Sequence, residues 1–411
     1  MRLVAEDSVL RHRAFAQFWL ARIATMMAYQ MLSVAVGWHV YELTGRALDL
    51  GLIGLAQFMP SIVLMLIVGH VADRYDRRRV SRITTSIGVL ASLVLCIGSA
   101  AGSVVEAAVF AVVFVIGAAR AFQNPAMQAL LPTLVPSHDL SRAVAASATA
   151  TQMATIAGPA LGGLAYAFGP AAVYAVCAAL YAAGVIAMHR MQVARTVVSR
   201  EPPTVASLFA GIEFIRHNPV MLGAISLDLF AVFLGGATAL LPIYARDILH
   251  IGPWGLGALR SATAIGALVM ALWLARHPLQ GGVGRTMFAA VAVYGLATIL
   301  FGASTIAVVS FGALLVMGAA DMVSVVVRSS IVQLRTPDEM RGRVNAVNTM
   351  FIGASNQLGE FESGVTAEWF GTVRAVILGG VGTLAIVALW MRLFPPLVAF
   401  DRLDTQPVRS R

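Results

Sequence analysis

The sequence predicts an all-α membrane protein of twelve transmembrane helices in two pseudo-symmetric six-helix bundles. Three observations carry this. The composition is too apolar for a wetted surface, the apolar residues fall into runs of spanning length, and the second half repeats landmarks of the first at a constant offset. Of 411 residues, 59% are hydrophobic and 12% charged, and the mean hydropathy is +0.81. A soluble protein has to keep much of its exterior polar, whereas lipid accepts an apolar one. A spanning helix takes about 20 mostly apolar residues, so with loops of about ten the chain has room for about twelve spans.

Taken in order, the spans fall near 15–41, 48–72, 80–101, 104–131, 143–168, 170–190, 219–245, 254–276, 286–304, 307–332, 344–369 and 373–394. Membrane character is weakest from Gln192 to Asn218. There Arg195, Arg200, Glu201, Pro202 and Pro203 precede an amphipathic piece around Leu208 to Ile215. The expected organisation is a six-helix bundle over 1–191, a cytoplasmic linker over 192–218, a second six-helix bundle over 219–396 and a cytoplasmic tail over 397–411. Met1 to Arg13 is polar and charged, without the short apolar core of a cleaved signal peptide.

The net charge is +9, and every basic residue is an arginine. The arginines sit in short loops between apolar runs, which argues against a nucleic-acid surface and gives the chain an orientation. Arg74, Arg77, Arg78, Arg79, Arg82, Arg142, Arg190, Arg195, Arg200, Arg216, Arg276, Arg285, Arg335, Arg341 and Arg343 fall on one side with both termini. The other side has Arg46, Arg246 and Arg374, with Arg260 near a helix end. Positive-inside bias puts both termini and the linker in the cytoplasm. Cys96 and Cys177 lie inside apolar runs and form no metal or redox spacing.

An ungapped shift of 201 positions places Gly117 on Gly318, Pro136 on Pro337, Arg142 on Arg343, Gly158 on Gly359 and Gly163 on Gly364. A parallel repeat of this kind puts a binding cavity near the bilayer midplane, where the repeats meet.

The loop after span 2 reads Gly69-His70-Val71-Ala72-Asp73-Arg74-Tyr75-Asp76-Arg77-Arg78-Arg79. It resembles the signature between the second and third helices of the major facilitator superfamily, with Tyr75-Asp76 where the family usually has glycine. The resemblance implies a cytoplasmic gate formed by Gly69, Asp73, Arg74, Arg77 and Arg78. Gly69 lets helices approach, Asp73 accepts from a neighbouring helix N-terminus, and the arginines pair with acidic groups or lipid phosphates. In span 5, Ala157-Gly158-Pro159-Ala160-Leu161-Gly162-Gly163 looks like the core of the antiporter motif of drug exporters, on Gly158, Pro159, Gly162 and Gly163. The upstream glycines of that motif are Ala145 and Ala154 here. Segments such as Phe18-Trp19-Leu20-Ala21-Arg22, Leu240-Leu241-Pro242-Ile243-Tyr244 and Thr336-Pro337-Asp338-Glu339-Met340-Arg341-Gly342-Arg343 resemble the branch of enterobactin exporters and macrolide-efflux proteins.

Ionisable groups inside spans cost about 2.5–3.5 kcal/mol each at the bilayer centre and usually face a cavity or a partner. Asp228 in span 7 and Asp321 in span 10 lie deepest in apolar runs and are the candidates to bind and release a proton. Glu360 and Glu362 stand two apart in span 11 and point to different faces, so at most one faces a central cavity. Arg22 and Arg120 either neutralise carboxylates or hold an anionic group of the cargo. Arg120, with Gln123, also resembles a span-4 exporter motif and falls on Asp321 under the shift. Arg328 is expected toward the cytoplasmic end of span 10, as a fixed ion-pair partner. His39 reads as a polar interface residue.

No phosphate-binding loop, metalloprotease motif or metal cluster is legible, so neither an enzyme nor a metal or organic cofactor is expected. The expected function is alternating-access export of small amphipathic molecules, drug-like or siderophore-like. The proton gradient of a bacterial inner membrane is the energy source, and the lipid bilayer and the cargo are the partners of a monomer. Uptake or lipid translocation by the same fold is the alternative; a membrane sensor without transport would need an output domain that the short tails do not supply.

Overall fold

In the computed structural model the described residues are 9–192 and 205–402, apart from 65, 66, 69, 70, 72 and 73. They form helices in register with all twelve spans. These are α1 (Arg13–Thr44), α2 (Ala47–Val63), α3 (Arg77–Ala100), α4 (Glu106–Leu130), α5 (Leu140–Tyr166) and α6 (Pro170–Arg190). They continue as α7 (Pro219–Leu234), α8 (Gly252–Arg276), α9 (Val283–Ala303), α10 (Ala307–Arg335), α11 (Asp338–Phe370) and α12 (Thr372–Leu393). A linker helix, Val205–Arg216, precedes α7. Nine helical segments among the described residues are long and apolar enough to cross a bilayer; α2, α5 and α11 are short or polar.

The polar helices keep their hydroxyls satisfied within themselves. Thr149, Thr151 and Thr155 of α5 each donate to the carbonyl four residues back, at 3.0, 3.1 and 2.9 Å, the local bond that helical threonines make. The helix starts follow local chemistry. Asp76 accepts from the amides of Arg78 and Arg79 and caps α3, so the residue standing in place of a family glycine acts as a helix cap. Asn218 accepts from Met221 N at 3.2 Å, ahead of Pro219 at the first turn of α7.

Span 7 departs from a single rod. The α-helical ladder stops at Gly235 and gives way to a 3-10 turn over Ala237–Leu240, a helical turn over Leu241–Ile243 and a π-turn over Tyr244–Ile248. Adjacent glycines and Pro242 explain the break. A freed carbonyl is recovered, since Tyr294 Oη donates to Gly235 O at 3.1 Å. Span 2 is helical over Ala47–Val63; beyond it Ile67, Val68 and Val71 are also helical, and 65, 66, 69, 70 and 72 fall outside the described residues.

The chain divides into two compact units. Unit 1 comprises residues 1–45, 56–202 and 251–261; unit 2 comprises 46–55, 203–250 and 262–411. In unit 1, α1 packs on α5 and α6, and α3 packs on α4 and α6. In unit 2, α7 packs on α11 and α12, and α9 on α10 and α12. These pairings are the same under the repeat, and the matched glycines repeat their contacts as well. Gly117 of α4 abuts Gln57 O of α2, and Gly318 of α10 abuts Thr263 O of α8. Gly158 meets Gln30 and Met27 O of α1, while Gly359 meets Phe233 O and Val232 O of α7. Within unit 1, Gly163 meets Pro253 O and Gly257; within unit 2, Gly364 meets Gly51 and Ala47 O.

A Cβ added at Gly117 would lie 2.3 Å from Gln57 O, and one at Gly318 would lie 1.9 Å from Thr263 O. Backbone oxygens cannot rotate away, so Gly117→Ala and Gly318→Ala are each expected to cost about 1–3 kcal/mol. Gly312→Ala, also in α10 but with nothing within 4 Å, is expected to leave stability unchanged. Thermal unfolding of the three purified variants checks this; equal melting temperatures would remove the close-crossing role of the matched pair.

Candidate functional site

Polar side chains of unit 2 converge beside the break in α7. Asp321, Ser324 and Arg328 stand three and four residues apart in α10, so they share one helical face. Asp228 of α7 lies opposite. Ser324 Oγ donates to Asp228 Oδ1 at 2.9 Å, and Arg328 donates to Asp228 Oδ2 in an ion pair. Asp228 is 5% exposed and Arg328 3%, so bulk salt does not screen the pair. Among the described residues Asp321 has no hydrogen bond or ion pair; it lines a small cavity with Asp228, Ser324, Tyr294, Val232 and Ala231. Arg328 Nε has no hydrogen-bond partner.

Two carboxylates therefore face one guanidinium. With both acids ionised, one negative charge lacks a partner in a medium where an unmatched charge is costly. A proton carried by Asp321 removes the imbalance without disturbing the Asp228–Arg328 pair. Asp228 and Asp321, proposed from sequence as separate carboxylates, thus come together. Arg328 lies within their cluster and shares the cavity-facing side of α10. The spacing of Asp321, Ser324 and Arg328 was the signal for this grouping; Tyr294 carried none.

Glu360 and Glu362 do point to different faces. Glu360 lies against the first turns of α2, its Oε2 2.5 Å from where a Cβ on Gly54 would sit. Glu362 Oε1 accepts from Thr366 Oγ1 of its own helix at 2.7 Å.

The intramembrane cations of unit 1 are arranged differently. The Arg120 guanidinium of α4 lies over the Tyr29 ring of α1, 3.4 Å from its centroid. Tyr29 Oη donates to Gln57 Oε1 at 3.0 Å and so fixes the ring. Arg22 Nε donates to Thr151 Oγ1 of α5 at 3.0 Å. His39 is buried, at 6% exposure, and pairs with Tyr174 Oη at 2.9 Å, so it is a core residue and not one of the membrane interface.

The antiporter-like segment is a packing face. Gly158 and Gly162 admit α1 at Gln30 and Met31, Gly163 admits the first turns of α8, and Pro159 O abuts Gly257. Of the gate residues, Gly69 and Asp73 lie outside the described residues, and Arg74 is exposed. Arg77 donates to Ala129 O at 3.2 Å, and Arg78 to Met188 O at 2.8 Å and to His189 O. Those carbonyls end α4 and α6, where the helix dipole favours cations, so these two arginines bind helix ends within their own half. On the same side, Asp139 precedes α5 and is held below the usual carboxylate range by its hydrogen bond with His12, aided by the charges of His138 and Arg11. Among the described residues no group of three His, Cys, Asp or Glu is placed to hold a metal ion.

The comparisons with known proteins agree with this architecture. The family model described as transmembrane secretion effector matches residues 6–410. Enterobactin exporter EntS of Escherichia coli is 25% identical over 403 residues, covering 97% of this chain and 96% of that one, and EntS of Shigella boydii gives the same values. A variant of the nucleoside transporter NupG superposes with a TM-score of 0.76 at 14% identity, over 93% of this chain and 100% of that one. A bacterial homologue of the iron transporter ferroportin, inward-facing, gives 0.71 at 17% identity, over 96% of this chain and 100% of that one. The fold is that of the major facilitator superfamily, and the chain is a multi-pass membrane transporter and not an enzyme. With the family match running from residue 6 to residue 410, the chain belongs to the transmembrane secretion effector family of major facilitator transporters.

Proposed function

We propose that the chain exports small amphipathic molecules from the bacterial cytoplasm by alternating access, as a monomer, with proton entry as the driving reaction. The observation that carries the coupling is the unpaired carboxylate of Asp321 beside the Asp228–Arg328 ion pair, at a broken helix. Discontinuous helices at mid-membrane depth serve as ion and substrate sites because their freed backbone groups line a cavity. Export is supported by the family and by its exporter relatives. A siderophore-like cargo is one member of the amphipathic class that the reading covers. The arginine-rich loops support an arrangement with both termini and the linker in the cytoplasm.

Everted vesicles energised by respiration are expected to accumulate at least one dansyl-labelled amphiphile from a set of anionic, neutral and cationic members, and to lose it on addition of an uncoupler. Asp321→Asn is expected to reduce gradient-driven accumulation at least about tenfold while preserving exchange of probe down its own gradient. Retention of gradient-driven accumulation by Asp321→Asn would sink the coupling assignment. Asp228→Asn removes the ion-pair partner of Arg328 and leaves Asp321 as the remaining acid beside it, and is expected to cost up to about 3–5 kcal/mol of stability. The double variant Asp228→Asn with Arg328→Met is expected to regain most of that stability, as read by thermal unfolding, without regaining coupling.

The orientation has its own check. In a background with Cys96 and Cys177 replaced by alanine, a cysteine introduced at Gln192 or Arg79 is expected to react with a membrane-impermeant maleimide only after permeabilisation. One introduced at Phe168 or Ser304 is expected to react in intact cells. The opposite pattern would invert the proposed direction of transport.

A further inference from the structure

In unit 1, Arg22 of α1 and Arg120 of α4 stand inside the spans without an acid to match them among the described residues. Arg22 stands nine residues into α1 from Arg13, and Arg120 stands ten residues before the end of α4 at Leu130. Arg22 stands one turn before Met26 on the same face of α1, and Arg120 reaches the Met26 sulfur, so the two side chains flank Met26. Inside a span an uncompensated cation is expensive.

Their contacts leave most donors open. A guanidinium has five N–H donors. Among the described residues, besides the Tyr29 ring Arg120 reaches only the Met26 sulfur, at 4.0 Å, which is a weak acceptor. Arg22 uses Nε on Thr151 Oγ1, and that hydroxyl is itself committed to Ser147 O at 3.1 Å. Neither arginine has a carboxylate within ion-pair distance among the described residues. The described acids of unit 1 are engaged or peripheral. Glu42 accepts from Tyr166 Oη at 2.6 Å, Asp139 is held by Arg11 and His12, Asp76 caps α3, and Glu106 opens α4. Both arginines are only partly buried, so the open edges remain reachable. Beside them lie the Tyr29 ring and the Met26 side chain, a flat aromatic face and a polarisable apolar one.

We propose that this pair is an anion subsite, so that the cargo is an amphipathic acid whose carboxylate or phenolate docks on Arg120 and Arg22 while its apolar or aromatic body lies along Tyr29 and Met26. Arg120 is the principal contact. Tyr29 covers one face of its guanidinium, and the Tyr29–Gln57 hydrogen bond holds the ring, so the N–H edge is pre-oriented for a two-oxygen acceptor. An anion there satisfies the open donors and neutralises the cations in one step, which a neutral or cationic amphiphile cannot do.

The inference rests on the transport reading for its meaning, but its test requires neither a gradient nor movement of cargo. Purified full-length protein in lipid nanodiscs is titrated with dansyl-glycine and, separately, with dansyl-glycinamide, which differ in the carboxylate alone; binding is read from dansyl fluorescence. The acid is expected to bind about tenfold or more tightly than the amide, the size of one charge-assisted hydrogen bond. Arg120→Gln is expected to abolish that preference, Arg22→Gln to reduce it, and Arg120→Lys to keep part of it, while affinity for the amide stays within about twofold in variants whose thermal unfolding matches the parent. Equal affinity of the parent protein for acid and amide overturns the proposal without any variant. So does a preference that survives in both glutamine variants, or failure of the acid to bind below millimolar concentration. A failed gradient assay with intact acid preference leaves the subsite standing and removes the coupling; gradient-driven transport without acid preference does the reverse.

Discussion

Inside a bilayer, helices gain nothing by hiding apolar surface from one another, since lipid is as apolar as they are, so close backbone approach at small residues has to hold this chain together. The matched glycines supply that approach. Gly117 and Gly318 each meet a carbonyl of the neighbouring second or eighth helix, and Gly158 and Gly359 each face the first helix of their own half. A methyl group would overlap main-chain atoms at Gly117, Gly318 and Gly359, and the Gln30 side chain at Gly158. The spacing of the remaining helices follows from them, because α4 and α10 are pinned to α2 and α8 before any polar contact is made.

The polar cluster of unit 2 depends on that frame. Gly236 sits against Gly359 O and Ser363 Oγ, where an added Cβ would lie 2.4 and 2.6 Å away. The close fit of α11 therefore lands on the segment where α7 breaks. Gly158 in the first half instead faces Gln30 and Met27 within an uninterrupted α1. The same crossing thus meets a continuous helix in one half and a helix end in the other. Only the second arrangement frees carbonyls such as Gly235 O and leaves a cavity beside Asp228 and Asp321.

Much of this was legible in the residues. Apolar runs of spanning length located nine of the helices among the described residues, because hydropathy is a one-dimensional signal that needs no knowledge of partners; α5 and α11 are more polar and were placed by the repeat and the alternation of loops. The offset of 201 identified glycines that make equivalent contacts, because a repeated crossing demands the same small residue at the same place. The break in span 7 was readable in Gly235-Gly236 and Pro242, but an apolar run looks continuous to a hydropathy window. The Asp228–Arg328 pair was harder. Its members are 100 residues apart, and which of several spans lies opposite α10 is set by packing and not by pattern. The basic loop after α2 shows the limit from another direction. Arg77 and Arg78 suggest phosphate or carboxylate partners by charge, yet they bind the carbonyl ends of α4 and α6, acceptors that no side-chain sequence displays.

The repeat places Arg120 where the other half has Asp321, and the consequences follow from charge alone. On the proposed reading, a cation with open donors at one position takes an anionic cargo, and an acid without a partner at the equivalent position takes a proton. On that reading a second acid would draw cations and protons to equivalent positions, and a second arginine would remove the unpaired carboxylate that takes the proton. One scaffold duplicated with opposite charges gives two sites that do not compete for the same ligand, because each repels what the other binds. Each charge also carries the insertion cost of an ionisable group in hydrocarbon, about 2.5–3.5 kcal/mol, which packing by small residues alone would not require. On the proposed reading a separate ligand meets that cost at each position.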